Sequence, residues 1–119
     1  MNKGYYIGSV EEAASKKGWL IGSFLKKNNP CFTEAVEVGW KELDTKTKIA
    51  KHIHKLATEI TVIIKGSTTE IINGQQLVLK AGNYVIIHPF TPAETLHAEE
   101  GTIVLVIKTP SVPGDKYSC

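Results

Sequence analysis

The sequence predicts an all-β protein, an antiparallel sandwich or jelly-roll β-barrel, with one short helix near its amino terminus. Short segments rich in apolar and β-branched residues follow one another from residue 18 to residue 108. Turn-forming residues separate them at short intervals, and the dipeptide Asn73-Gly74 is the strongest short-range signal for a β-hairpin. This spacing of short strands and turns is typical of antiparallel sandwiches and jelly rolls, not of α/β folds.

Only one segment has the character of a helix. Ser9 followed by Glu12 forms a capping-box pattern. Residues 9–17 place acidic side chains first and lysines last, which is the order that the helix dipole favours. Gly18 is a natural end for such a helix. We therefore expect helix to be confined mainly to residues 9–17.

We expect eight or nine short strands after this helix. Within residues 34–43, for example, Val36, Val38 and Trp40 alternate with other residues as in a strand with one buried face. The predicted strands lie in residues 18–25, 34–43, 46–54, 59–66, 84–87 and 102–108 and in the two arms that flank Asn73-Gly74. The remaining tail contains Pro and Gly, and residues 115–117 within it are expected at the surface.

Length and composition limit the classes of protein that fit. The 119 residues suffice for a single domain, 1–119, with a barrel core at about residues 34–108. The formal net charge is only +2 and the lysines are scattered, so no nucleic-acid partner is expected. No apolar stretch approaches the roughly 18 residues of a membrane span, and the amino terminus lacks the apolar segment of a signal peptide. We expect a cytoplasmic protein with no membrane partner.

The most informative chemistry lies in the segment from His52 to Glu59. In a strand, residues two positions apart point to the same face, so His52 and His54 project side by side. Glu59 opens the next predicted strand, where its carboxylate can reach the same space. Two imidazoles and a carboxylate suit Fe, Mn, Ni, Co or Zn. From the residues alone two orientations remain open: the histidines face either the barrel interior or the solvent.

This segment resembles the first sequence motif of the cupin superfamily. HIHKLATEITVIIKG has the His pair, the Glu and the terminal Gly of that motif at His52, His54, Glu59 and Gly66. The resemblance covers roughly residues 34–108 and includes the Asn73-Gly74 turn. It implies a jelly-roll barrel that holds a divalent transition metal inside.

The second cupin motif is altered in this chain. Its last residue is normally a His that completes the metal site, and Glu94 stands at that position. Glu94 is therefore the predicted fourth ligand, beside His52, His54 and Glu59. His97, three positions later, and His88, before Pro89, are the alternatives.

The resemblance implies a metal-dependent enzyme that acts on a small polar metabolite or sugar, with isomerase-, epimerase- or dioxygenase-like chemistry. Glu94 or His97 would move protons. The altered second motif leaves open a non-catalytic metal- or metabolite-binding module that regulates a partner. A metal-free nucleotide-sugar epimerase is disfavoured, because all 14 basic residues are lysines and such enzymes hold pyrophosphate with arginines. We also expect a homodimer, in which the apolar segment 18–25 serves as an intersubunit strand.

Overall fold

The computed structural model describes residues 3–119 and consists of two antiparallel five-stranded sheets that enclose a common interior. A short 3₁₀ helix, Val10–Lys16, precedes them. The strands are β1 Trp19–Ile21, β2 Glu37–Leu43, β3 Ile49–Ile53, β4 Thr58–Lys65, β5 Ser67–Ile72, β6 Gln75–Lys80, β7 Tyr84–Ile87, β8 Ala93–Ala98, β9 Thr102–Thr109 and β10 Tyr117–Ser118. One sheet has the order β1-β2-β9-β4-β7 and the other β10-β3-β8-β5-β6. The predicted all-β fold with a short amino-terminal helix is confirmed.

The helix begins at the predicted capping box. The Glu11 N–H donates to Ser9 Oγ over 3.3 Å, and the Ser9 N–H donates to a Glu12 carboxylate oxygen over 3.2 Å. Lys17 ends the helix in the left-handed conformation, at φ 57°. The helix has the 3₁₀ rather than the α geometry, and Ala13 is its only buried residue. A 3₁₀ helix bonds residues three positions apart and an α-helix residues four positions apart. A segment this short, with so little buried surface, gains little stability from the α-helical pattern.

The predicted strand at residues 18–25 is much shorter in the structure, where β1 ends at Ile21. The chain leaves the sheet at this point because the next polar groups bond elsewhere. The Gly22 N–H donates to the Cys31 carbonyl over 3.1 Å, and the Ser23 N–H donates to Ser111 Oγ over 2.8 Å. The remainder of the apolar segment therefore forms a loop beside the carboxyl-terminal tail.

Strand pairing determines which side chains face the interior. In the first sheet Glu59 pairs with Lys108 and Lys41 pairs with Val104, and all four face inward. In the second sheet the inward residues include His52, Glu70, Ala93 and Thr95. An irregularity in the β5–β8 pairing changes this alternation, because Glu70 pairs with Thr95 whereas Thr69 pairs with His97. On β8, the alternation of inward- and outward-facing side chains therefore changes between Thr95 and His97.

The opposite face of the first sheet is also apolar. Its side chains point away from the shared interior; two of them, Tyr84 and Ile86, are exposed and the others are half-buried. We call this surface the outer apolar face; it is formed by Val38, Trp40, Ile60, Val62, Tyr84, Ile86, Leu105 and Ile107. An antiparallel sheet with one solvated face usually has polar residues there.

Within residues 3–119, no helix is long and apolar enough to cross a membrane.

Candidate functional site

His54 lies at the centre of the candidate site and is buried, with 5% of its surface exposed. Its Nδ1 donates to the backbone carbonyl of Asp115. A carbonyl oxygen can only accept, so Nδ1 is the protonated ring nitrogen and Nε2 has the lone pair in the neutral imidazole. Nε2 is buried without a hydrogen-bond partner and lies 3.5 Å from Glu59 Oε2. An imidazole nitrogen and a carboxylate oxygen therefore face each other in the interior.

The loop that places His54 is held by Asp115. Its carboxylate accepts hydrogen bonds from the backbone N–H groups of Lys55, Leu56 and Ala57, at 2.9, 3.0 and 2.9 Å. Burial would raise the pKa of Asp115, but these hydrogen bonds outweigh it and hold the pKa below its ordinary value. The expectation that residues 115–117 lie at the surface was wrong for Asp115, which is 5% exposed. Reversal of the chain at Gly114 brings Asp115 under the β3–β4 loop.

His52 lies on β3, two residues before His54, and faces the cavity between the sheets. Its Nδ1 donates to the Ala50 carbonyl over 2.7 Å, which leaves Nε2 as the free nitrogen. The two imidazole rings are 5.1 Å apart, almost perpendicular to each other. Burial lowers the pKa of His52, so this ring favours the neutral form. In both histidines a backbone carbonyl fixes the tautomer that leaves Nε2 unprotonated, as is usual in histidines that bind metals.

Glu59 remains ionised in this environment. Burial would raise its pKa, but His54 and Lys108 beside the carboxylate hold the pKa below its ordinary value. In turn the Glu59 carboxylate raises the pKa of His54. The separation of 3.5 Å is longer than the 2.7–2.9 Å of a charge-assisted hydrogen bond, so the two groups are close but not joined by one.

A cavity of about 390 Å³ opens beside this pair, between the two sheets. His52, Glu59, Glu70 and Glu94 contribute to its wall. Glu70 was not recognised in the sequence, where its position within the TTEII arm of the hairpin was the only available signal. It accepts a hydrogen bond from Thr68 Oγ1 over 2.7 Å, and burial raises its pKa. A carboxyl group with this property can hold a proton at a higher pH than an exposed acid does.

The structure separates the three candidates for the fourth ligand. Glu94 pairs with Ile71, one position out of step with the inward-facing Thr95, and it also lines a second, smaller cavity. His97 pairs with Thr69 and is exposed. His88 is exposed as well. Neither His97 nor His88 lines the large cavity. The ligand and proton-transfer roles assigned to Glu94 and His97 stay predictions.

The chemistry of His52, His54 and Glu59 fits a divalent transition metal. In their neutral forms the two imidazoles present unprotonated Nε2 atoms, one of which has no hydrogen-bond partner and faces the Glu59 carboxylate. These are the ligand types that Fe, Mn, Co, Ni and Zn prefer. The arrangement is not closed, however: within residues 3–119, no three His, Cys, Asp or Glu side chains come close enough together to hold a metal ion.

This chain resembles known proteins in its three-dimensional structure and not in its sequence. No protein-family model matches the chain, and no curated protein is significantly similar to it in sequence. KdgF from a Halomonas species superposes with a TM-score of 0.64 at 16% identity, over 68% of this chain and 74% of that one. A cupin protein from Bacteroides fragilis gives 0.58 at 22% identity, over 72% and 75%.

Pac13, whose structure is described as that of a unique nucleoside dehydratase, gives a TM-score of 0.62 at 9% identity. The match covers 73% of each chain. At sequence identities this low, structural similarity indicates a shared fold but not a shared reaction. This chain has the cupin fold.

Proposed function

We propose that this protein binds a divalent transition metal through His52, His54 and Glu59 and acts as an enzyme on a small polar molecule held in the adjoining cavity. The observation that supports this most strongly is the buried Nε2 of His54, which has no hydrogen-bond partner and faces the Glu59 carboxylate. The reaction class that we propose is isomerisation, epimerisation or dioxygenation of a metabolite or sugar.

A metal accounts for the geometry of this pair. Two hydrogen-bond acceptors do not face each other in a buried site unless a proton or a cation lies between them. A proton on Nε2 would draw the pair to the 2.7–2.9 Å of a charge-assisted hydrogen bond, whereas a coordinated cation holds its ligands farther apart. The 3.5 Å separation favours the cation, and the hydrogen bonds of Nδ1 leave Nε2 as the nitrogen that would bind it.

The bound metal would supply a Lewis acid that polarises a carbonyl or hydroxyl oxygen of the substrate. The protein's own groups have separate tasks. Asp115 keeps His54 in place through the β3–β4 loop, and the two sheets exclude bulk water from the cavity. Glu70, with its raised pKa, is placed to give or take a proton at its carboxyl oxygen.

Metal content tests the proposal directly. Protein purified without added metal should contain about one divalent transition metal per chain, and chelation should lower its melting temperature, since binding stabilises the native state. His52→Ala and Glu59→Gln should each reduce the metal content. His97→Ala and His88→Ala change exposed histidines outside the cavity and serve as matched controls.

Circular dichroism of each variant separates loss of metal from loss of fold. Wild-type protein that contains no metal and shows no thermal shift with Mn, Fe, Co, Ni or Zn would overturn the proposed site. The same assay tests the fourth ligand. Glu94→Gln should weaken metal binding and Glu94→His should retain it. Metal loss in His97→Ala alone would show that His97, not Glu94, is the fourth ligand and that the strand register of β8 differs from the one described.

A second candidate is a non-catalytic binding module, and the position of Glu94 favours it. Thr95, not a metal ligand, occupies the inward position that follows Ala93 on β8. A site with only three protein ligands can bind metal and a metabolite without catalysing a reaction. Metal-loaded protein that binds small molecules but turns over none of the sugars and hydroxy or keto acids offered would favour this candidate.

A further inference from the structure

One wall of the large cavity is cationic. Lys17, Lys41, Lys108 and Lys116 all line it, and they approach from different parts of the chain. Lys41 and Lys108 lie on neighbouring strands of the first sheet, and their ammonium nitrogens lie 4.0 and 5.0 Å from the centre of the Trp19 ring. Two positive charges therefore lie close to the same indole ring at the edge of the cavity.

Within residues 3–119, none of these ammonium groups has a carboxylate oxygen within 4.0 Å, although Glu59 lies opposite Lys108 on the neighbouring strand. Across residues 3–119 the only ion pair within 4.0 Å joins His54 and Glu59. Lys41 Nζ instead donates to the backbone carbonyl of Lys17 over 2.6 Å. The pKa of Lys41 is lowered to about 8, first by burial and then by Lys108, Lys17 and Lys116. Half-buried ammonium groups that repel one another destabilise the protein unless a counter-charge binds between them.

The cavity acids balance only part of this positive charge. Glu59 lies opposite Lys108 but also faces His54. Burial raises the pKa of Glu70 and thereby favours its neutral form. With Glu94, three glutamates line the cavity against four lysines. The cavity therefore has an excess of positive charge, part of which lies beside the Trp19 ring.

We propose that the substrate of this cavity is an oxyanion, a small molecule whose carboxylate or phosphate group binds Lys41 and Lys108 beside the Trp19 ring. A lysine binds either group as a compact positive charge, so the absence of arginine does not prevent such binding. The inference rests on the proposed function in that the cavity takes a small molecule, but it does not require the metal.

Calorimetric titration of the full chain, treated with a chelator, tests the proposal. The probes are benzoate, inorganic phosphate and the neutral benzyl alcohol. Benzoate should bind, and benzyl alcohol should bind at least about 10-fold more weakly. Binding of phosphate would show that an anionic group without an aromatic ring is sufficient for binding. Lys41→Met and Lys108→Met should each weaken benzoate binding by about 10-fold or more, as expected for a hydrogen bond to a charged group.

Lys80→Met is the matched control, because Lys80 is exposed and lines none of the cavities described above. It should leave the affinity unchanged. Equal binding of benzoate and benzyl alcohol, or an equal loss in Lys80→Met, would overturn the proposal. So would the absence of any binding of benzoate and phosphate at millimolar concentration.

A second readout distinguishes this proposal from the metal proposal. In protein labelled with ¹³C at lysine Cε, benzoate should raise the titration midpoint of Lys41, because a bound anion favours the charged amine. His52→Ala should retain this effect even if it removes the metal. Binding of benzoate that requires added metal and is insensitive to Lys41→Met and Lys108→Met would place the anion on the metal and overturn the lysine site alone.

Discussion

Asp115 offers the sharpest test of how the tail organises the site. Asp115→Ala removes an acceptor that serves three backbone N–H groups. Lys55 and Leu56 are exposed, so water can replace their bonds at a cost of about 0.5 kcal/mol each. The Ala57 N–H belongs to a residue that is 2% exposed, and leaving it unsatisfied costs about 2 kcal/mol. The free energy of unfolding should therefore fall by about 3 kcal/mol, which lowers the melting temperature by about 12 °C for a chain of this length.

Urea denaturation at neutral pH measures this loss of stability. Two further variants serve for comparison, one with an intermediate expected loss and one as a control. Asp115→Asn keeps one acceptor oxygen and should cost about half as much. Asp44→Ala is the control: Asp44 also accepts a backbone hydrogen bond, from the Lys46 N–H over 2.8 Å, but it is exposed and should cost less than about 1 kcal/mol.

The pH dependence of the same measurement follows from the depressed pKa of Asp115 in the folded state. Its contribution to stability is complete above the ordinary value of 3.8 and is lost as the pH falls through the folded pKa. The difference between wild type and Asp115→Asn should therefore shrink below pH 3.8. If the free energy of unfolding of Asp115→Ala lies within about 1 kcal/mol of the wild-type value at neutral pH, the tail does not hold the β3–β4 loop.

Three further expectations concern other parts of the molecule. Gly66→Ala should destabilise the protein by several-fold more than Gly82→Ala in urea denaturation, because both have positive φ but only at Gly66 would a Cβ lie 2.3 Å from Thr102 Oγ1. In ¹³C-detected titration, Lys41 should have its midpoint near pH 8, and removing the positive charge of Lys108 should raise it; a midpoint above 10 would contradict the burial of this amine. Light scattering at micromolar concentration should show a homodimer, since β1 is an edge strand and the outer apolar face has no partner within residues 3–119; a monomer would refute this.

Sequence reasoning succeeded where short-range interactions determine the structure. The Asn73-Gly74 turn is present with both residues at positive φ, and it joins β5 to β6 in register. The capping box at Ser9 also follows from residues three positions apart. The two-residue period of a strand, a local property, placed His52 and His54 side by side, although β3 ends at Ile53; Glu59 lies on the next strand, β4.

What the sequence could not determine depends on residues far apart in the chain. Asp115 is about 60 positions from the loop that it holds, and no local pattern relates the two. The inward or outward direction of Glu94 depends on which residues of β8 pair with His52 and Glu70 on the neighbouring strands, and no local pattern specifies that pairing.

The sequence by itself therefore determined most of the strands, the hairpin, the helix start and the type of donor atoms at the candidate metal site, but not β8 or β10. The tertiary structure alone decided which charges share the cavity. Lys41, Lys108 and Trp19 come from three different strands, and each has the appearance of an ordinary surface or core residue in the sequence. The physical reason is that burial and mutual repulsion change the properties of a side chain only after folding has brought the groups together.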